Sequence, residues 1–107
     1  MSFKFYKNKK TKHPSISVKQ RNKTKWFNMP LTHEKPKDSY IKVVDPHPKN
    51  KKKRISEQNY SYVRLYIRTD KKGIKGHPYR EYKLTKKEER EIKEYLSRKY
   101  KKRWCKA

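Results

Sequence analysis

The chain has 107 residues, of which 34 are lysine or arginine and 10 are acidic, so its formal net charge is +24. This length accommodates one domain, and the large positive charge favours a polyanionic partner, either nucleic acid or an anionic membrane surface. The single cysteine, Cys105, excludes both an internal disulfide framework and a zinc-binding cysteine cluster.

The first 12 residues, "MSFKFYKNKKTK", are predicted to form a basic flexible arm. Their lysines repel one another, and the segment is expected to contribute little to a core. Both a solvated tail and a nucleic-acid-binding arm fit this composition, and Lys12 is a candidate contact to nucleic acid. Removal of the arm is expected to leave a cooperative fold.

Residues 13–83 are predicted to form a small sheet or barrel, because short apolar segments alternate with turn sequences. Ile16 and Val18 fall on one face of the first of these strands. Further strands are predicted over residues 24–33 and 39–44, with a turn over 69–78 and a last short strand over 79–84.

An exposed, flexible basic loop is predicted over residues 45–59, "DPHPKNKKKRISEQN". Asp45 and His47 each precede a proline, which biases the backbone away from helix. The cationic run that follows is a candidate nucleic-acid contact. Its members are Lys51, Lys52, Lys53 and Arg54.

The strongest strand is predicted over residues 60–68, "YSYVRLYIR", where apolar and other residues alternate with the period of a β-strand. One face carries valine, leucine and isoleucine and is expected to be buried. The other presents Tyr62, Arg64, Tyr66 and Arg68, a combination suited to base stacking and phosphate binding. The alternative is that tyrosine and arginine merely favour strands and pair across them.

An amphipathic basic helix is predicted over residues 84–104. Thr85 and Glu88 have the spacing of a capping box, in which hydroxyl and carboxylate each accept a hydrogen bond from an unpaired amide. The apolar stripe consists of Ile92, Tyr95, Leu96 and Tyr100. Several short strands followed by one helix predict an α+β fold: a small, strongly bent antiparallel sheet or an SH3-like, partly open barrel, closed by the C-terminal helix.

Chemistry that depends on a nucleotide cofactor or a metal has no support in the sequence. It contains no phosphate loop and no dinucleotide fingerprint, and it contains no HExxH metal motif. We therefore expect neither a metal nor a cofactor. Metal-independent RNA cleavage needs a base, an acid and cations around the phosphate. Residues of these types are His13, Thr32, His33, Arg64 and Arg68, although the histidines are also explained as ordinary loop residues.

Four segments in chain order resemble the MazF/PemK-like toxin endoribonucleases: "KHPSISV", "FNMPLTHEK", "SYVRLYIRTDKKG" and "LTKKEEREIKEYL". The resemblance spans residues 13–100. It implies a barrel closed by a helix, RNA cleavage without metal, and an acidic antitoxin protein as partner. It places the catalytic threonine or serine of that family at Thr32.

The sequence departs from that family at two places. Where the family has a catalytic arginine before the proline, this chain has His13, which can act as acid or base but supplies no permanent charge. The glycine-containing entry "GDIV" is replaced by the basic arm. Both retained and lost cleavage activity are consistent with the substitution.

Three functions follow from these features. The first is RNA binding, in preference to DNA, with endoribonuclease activity that uses His13, Thr32 and Arg64 or Arg68, and with His33 as a further contact. The second is a non-enzymatic nucleic-acid- or ribosome-binding module of a phage or mobile element. The third is an inhibitor that binds an acidic protein surface. Because no apolar signal segment or span of about 20 residues occurs, a cytoplasmic location is expected.

Overall fold

The computed structural model describes residues 3–19, 23–44 and 60–100. These residues form seven β-strands, one short 3-10 helix and one α-helix in a single bent sheet with a helix packed against it. The strands are β1 (Phe5–Asn8), β2 (Pro14–Val18), β3 (Lys25–Thr32), β4 (Tyr40–Val44), β5 (Tyr60–Arg64), β6 (Arg68–Lys71) and β7 (Lys75–Pro78), and the helices are the 3-10 helix Lys72–Ile74 and α1 (Lys86–Tyr100).

Every strand pairing in the sheet is antiparallel. The strand order is β4-β5-β3-β2-β1-β7, and β6 also pairs with β3. The long strand β3 therefore has β2 on one edge and two partners on the other: β6 along its first half and β5 along its second. The predicted α+β fold, a strongly bent antiparallel sheet with a C-terminal helix, is confirmed.

The sheet curls strongly between β6 and β1. These strands are three places apart in the order β6-β3-β2-β1, which in a flat sheet would separate them by about 14 Å. Nevertheless Asn8 Nδ2 of β1 donates to Asp70 Oδ2 of β6 at 3.2 Å. The 3-10 helix carries the chain from β6 across to β7, which pairs with β1.

The hydrophobic core lies on one face of this sheet, between the strands and α1. Met29 of β3, Ile16 of β2 and Val63 of β5 are fully buried there, together with Ile92 and Leu96 of the helix. Alternation along the strands leaves the opposite face to polar and aromatic residues. We call this opposite surface the polar face.

The prediction of a flexible basic arm over residues 1–12 is wrong for the part of that segment that the structure describes. Residues 5–8 form β1, which pairs with β2 on one edge and β7 on the other. Phe3 and Phe5 are 6% and 1% exposed and belong to the core. Lys4, the lysine between them, is exposed, so the segment can carry it at little cost in buried charge.

The prediction of one strand over residues 60–68 is also wrong. The structure divides this segment between β5 and β6, with a break at Leu65–Ile67. The helix binds the backbone at this break. The Tyr95 hydroxyl donates to the Leu65 carbonyl, and the Ile67 amide donates to the Tyr100 hydroxyl at 3.3 Å. These bonds satisfy main-chain groups that the interrupted ladder leaves unpaired.

Two further elements differ from the sequence-based prediction. Residues 79–84 are not a strand, and the last strand is β7, inside the segment predicted to be a turn. Gly76 permits this placement, because a Cβ atom there would lie 2.8 Å from the Lys7 carbonyl oxygen. The close approach of β7 to β1 therefore requires glycine.

The predicted capping box of α1 is confirmed. Thr85 N donates to Glu88 Oε1 at 2.8 Å, and Glu88 N donates to Thr85 Oγ1 at 3.1 Å. The predicted basic loop over 45–59 and the helix end at 101–104 lie outside the described residues. Within the described ranges, no helix combines the length and the apolar character that crossing a bilayer requires.

Candidate nucleic-acid interface

Aromatic and cationic side chains collect on the polar face at the β4–β5 end of the sheet. The register pairs Tyr40 with Arg64, Lys42 with Tyr62 and Val44 with Tyr60, so that the three tyrosines share one face. The rings of Tyr40 and Tyr62 lie 5.0 Å apart and those of Tyr60 and Tyr62 lie 5.6 Å apart, both nearly perpendicular. We call these three residues the tyrosine cluster.

The centre of the tyrosine cluster is buried and its flanks are open. Tyr62 is 9% exposed, whereas Tyr40 and Tyr60 are half-buried. Burial raises the pKa of Tyr62, with smaller contributions from its hydrogen bond to Tyr60 and from the charges of both neighbours. Tyr62 therefore stays uncharged at neutral pH. Lys42 Nζ lies 4.1 Å from the centre of the Tyr60 ring, which adds a cation-π contact.

Arg64 lies next to this cluster but is held by a neighbouring loop. Its Nη2 is 3.4 Å from Asp38 Oδ2, and its guanidinium lies 5.2 Å from the centre of the Tyr66 ring. Both members of the ion pair are substantially exposed, so the pair is weak. Arg64 Nε is buried and has no hydrogen-bond partner among the described residues.

A polar network is buried on the same face, further along β3. Its five members are Asn8, Ser15, Asn28, Arg68 and Asp70, and we call it the Arg68 network. The Asp70 Oδ2 atom accepts hydrogen bonds from Asn8 Nδ2 at 3.2 Å and from Asn28 Nδ2 at 3.0 Å. Arg68 Nη2 donates to Ser15 Oγ and to Asn28 Oδ1, both at 3.4 Å.

The ion pair in the Arg68 network is oriented so that its cation is outermost. Arg68 Nε lies 3.3 Å from Asp70 Oδ2, although its N–H is not aligned for a hydrogen bond. The Arg68 side chain is 26% exposed and that of Asp70 only 11%. Because the acid lies behind the guanidinium, an anion that approaches this face meets the positive group first.

Tyr6 and Trp26 lie beside the Arg68 network. Their rings are 6.5 Å apart and nearly perpendicular, and the Trp26 indole donates to Ser17 Oγ at 3.2 Å. Lys75 Nζ lies 4.0 Å from the centre of the Tyr6 ring. Trp26 is 4% exposed, so in this group the half-buried Tyr6 is the ring that a ligand can reach.

Of the predicted catalytic residues, Thr32, Arg64 and Arg68 lie on the polar face. The β2–β3 register ends at the pair Ser15–Pro30, and the exposed His13 lies in a bend just before β2. The Thr32 hydroxyl accepts a hydrogen bond from the Glu34 amide at 3.2 Å.

Other predicted contacts are placed differently. His33 is exposed but lies on the core side, where its Nε2 is 3.2 Å from Oγ of the buried Ser61. Lys12 adopts φ 66° in the β1–β2 turn, and its amide donates to the Asn8 carbonyl. Tyr66 is half-buried beneath Arg64. The cationic run Lys51, Lys52, Lys53 and Arg54 lies outside the described residues.

The expectation that Tyr62 presents its ring to a ligand is not met, because Tyr40 and Tyr60 enclose it edge-on. Tyr60 and Tyr40, which the sequence-based site omitted, occupy the accessible positions. Asn8, Ser15 and Asn28 were also missed. The sequence did contain a signal for Asn28, because asparagine is disfavoured within strands and this one interrupts an otherwise apolar and aromatic segment.

A groove of about 580 Å³ opens at the opposite edge of the sheet, between the start of β1 and the segment that joins β7 to α1. The rings of Tyr79 and Tyr82 stack there with centres 4.7 Å apart and planes 25° apart. The cations at its rim are Lys4, Arg80 and Lys83. Within the described residues, no group of three or more histidine, cysteine or acidic side chains is arranged to hold a metal ion.

Comparison of the chain with protein-family models, with curated proteins and with solved structures finds no match.

Proposed function

We propose that this protein binds single-stranded nucleic acid on its polar face, and RNA in preference to DNA. The observation that carries the proposal is the tyrosine cluster with Lys42 and Arg64 at one end of a face that also holds the Arg68 network. Single strands offer unstacked bases to aromatic rings and phosphates to cations, so they fit such a surface better than a duplex does.

The composition supports a polyanionic partner independently of this geometry. A net charge of +24 on 107 residues exceeds what solubility requires and attracts nucleic acid over long distances. On the polar face, Asp38 and Asp70 each lie behind or beside an arginine. Neither acid therefore presents an isolated negative charge to a phosphate backbone.

Replacement of the accessible rings tests the proposal. The double variant Tyr40→Ser, Tyr60→Ser should lose about tenfold or more in affinity for single-stranded RNA, since each stacked base contributes about 1–3 kcal/mol. Duplex RNA should be affected much less, because its bases are already stacked. The measurement is fluorescence anisotropy with both forms of one sequence.

The matched control is Tyr40→Phe, Tyr60→Phe, which keeps both ring faces and should bind single strands nearly as well as the wild type. Melting curves of all variants identify any loss of fold. Equal losses for single strand and duplex in the folded serine variant would mean that the rings are structural and would remove the basis of the proposal.

Metal-independent RNA cleavage is a second candidate function. It is favoured by the placement of Thr32, Arg64 and Arg68 on one face. An extrapolation of the β2–β3 register by two residues would bring His13 opposite Thr32. In this mechanism His13 would take the proton of the 2′-hydroxyl as that oxygen bonds to phosphorus, and the P–O5′ bond would break as the leaving oxygen takes a proton from water. Arg68 would stabilise the charge on the phosphate. Incubation with RNA in EDTA tests it: His13→Ala should abolish cleavage and spare binding, and tight binding by the wild type without cleavage would discard it.

A further inference from the structure

The groove at the β1–β7 edge is a concave site whose lining includes neither the tyrosine cluster nor the Arg68 network. Its volume of about 580 Å³ lies in the range of small-molecule pockets. The floor is aromatic and the rim is cationic.

The aromatic floor is held rigidly by the fold. Tyr82 packs against the buried ring of Phe5, with the two ring centres 5.4 Å apart, and Tyr79 stacks on Tyr82. His77 contacts Tyr79 edge-on at 4.9 Å. The Tyr79 amide donates to the Phe5 carbonyl, and the Tyr82 amide donates to the Tyr79 carbonyl. Two half-buried rings with fixed orientation therefore form a preorganised stacking surface.

The rim of the groove is mainly positive. Lys4, Arg80 and Lys83 are exposed there, and Glu89 is the carboxylate that lines the same groove. Tyr6 lines it as well and lies on the polar face beside Trp26. The groove is thus adjacent to the polar face, and one extended ligand can occupy both.

We propose that the groove is a second subsite for single-stranded nucleic acid, in which one base stacks on the Tyr79–Tyr82 pair and flanking phosphates contact Arg80, Lys83 and Lys4. The inference rests on the proposed function, because the strand reaches the groove from the polar face. It predicts a ligand that crosses the sheet from β5 over β3 and β2 to β1.

The test compares the double variant Arg80→Gln, Lys83→Gln with a matched control, Arg90→Gln, Arg98→Gln. The control removes the same number of positive charges, two, from exposed positions on α1. Affinity is measured for oligouridine strands of increasing length, within the range of about 4 to 16 nucleotides that small single-strand-binding domains cover.

Short strands that fill only the polar face should bind the wild type and both variants alike. Longer strands should bind the wild type and the control more tightly than short strands do. For the groove variant, this gain in affinity with length should be smaller by about tenfold or more. The slope of log affinity against log salt should become shallower by about 0.7 to 1.4 in the groove variant, for one or two lost phosphate contacts.

Photocrosslinking of a strand that carries 4-thiouridine gives an independent readout, since adducts mapped to Tyr79 or Tyr82 place a base in the groove. Equal length dependence in the groove variant and the control, or adducts confined to the polar face, would overturn the proposal while leaving the proposed function intact. Failure of every length to bind would instead refute the proposed function.

Discussion

At the scale of a single residue, Arg68 belongs to a buried polar network and, under the proposed function, also faces the ligand. Its guanidinium contacts three polar side chains, Ser15, Asn28 and Asp70, and yet it remains 26% exposed. Buried polar groups are costly unless they are hydrogen-bonded, and the hydrogen bonds within the network offset this cost. The same bonds fix the orientation of the guanidinium, which the proposed function uses to contact a phosphate.

Substitution of Arg68 by lysine separates orientation from charge. Lysine keeps the positive charge but lacks the planar fork that reaches Ser15 and Asn28. We expect Arg68→Lys to weaken single-strand binding about fivefold, or about 1 kcal/mol, with an unchanged salt slope. Titrations at several salt concentrations provide the measurement.

The control for this substitution is Arg90→Lys on the exposed face of α1, which should bind like the wild type. A folded Arg68→Lys protein with wild-type affinity would mean that Arg68 only balances the charge of Asp70.

At the scale of elements, the break between β5 and β6 depends on the helix. Tyr95 and Tyr100 bind Leu65 and Ile67 from 30 and 33 residues away. Their hydroxyls replace the strand partner that these backbone groups lack. Because Arg64 and Arg68 flank the break, the same bonds set the relative position of two cations on the polar face.

Removal of either hydroxyl should therefore destabilise the fold. We expect Tyr95→Phe and Tyr100→Phe each to lower the free energy of unfolding by about 1 kcal/mol, because a half-buried backbone group loses its partner. Urea denaturation followed by circular dichroism measures the change. Tyr66→Phe is the control, and an equal loss in that variant would contradict the role assigned to the helix tyrosines.

β1 leads to a second prediction for an element. Deletion of residues 1–8 removes Phe3 and Phe5 from the core and the central partner of β2 and β7. Loss of one buried phenylalanine costs about 3–5 kcal/mol, and small domains have only about 5–15 kcal/mol of stability. The truncated protein should lack a cooperative thermal transition.

Charge removal alone should not have this effect. The variant Lys4→Gln, Lys7→Gln, Lys9→Gln keeps β1 and its phenylalanines, and calorimetry should give a cooperative transition near that of the wild type. A cooperative transition in the truncated protein would place β1 outside the folding unit.

For the whole molecule, charge governs how binding depends on salt. The slope of log affinity against log salt for single strands is about −0.7 per phosphate contacted. With at least four contacts from the excess of 24 positive charges, we expect a slope steeper than roughly −3. A flat salt response in filter-binding or anisotropy assays would contradict nucleic-acid binding as a whole.

The features that the sequence predicted correctly are those that local physics determines. The capping box of α1 joins residues three apart, and alternation along β2 and β3 assigns their side chains to two faces whatever the partner strand. Fold class followed from the same signals, because several short strands and one amphipathic helix have few ways to bury their apolar faces.

The tertiary structure decided what depends on residues that are distant in the chain. The basic N-terminal segment forms a strand because Phe3 and Phe5 pack into the core that β2, β3 and α1 form. Strand 60–68 was divided because tyrosines of the helix supply partners for its backbone. The Arg68 network depends on a curl that brings Asn8 to Asp70 across 62 residues. Alternation in the sequence specifies a face but not its curvature, and curvature determines which of its side chains meet.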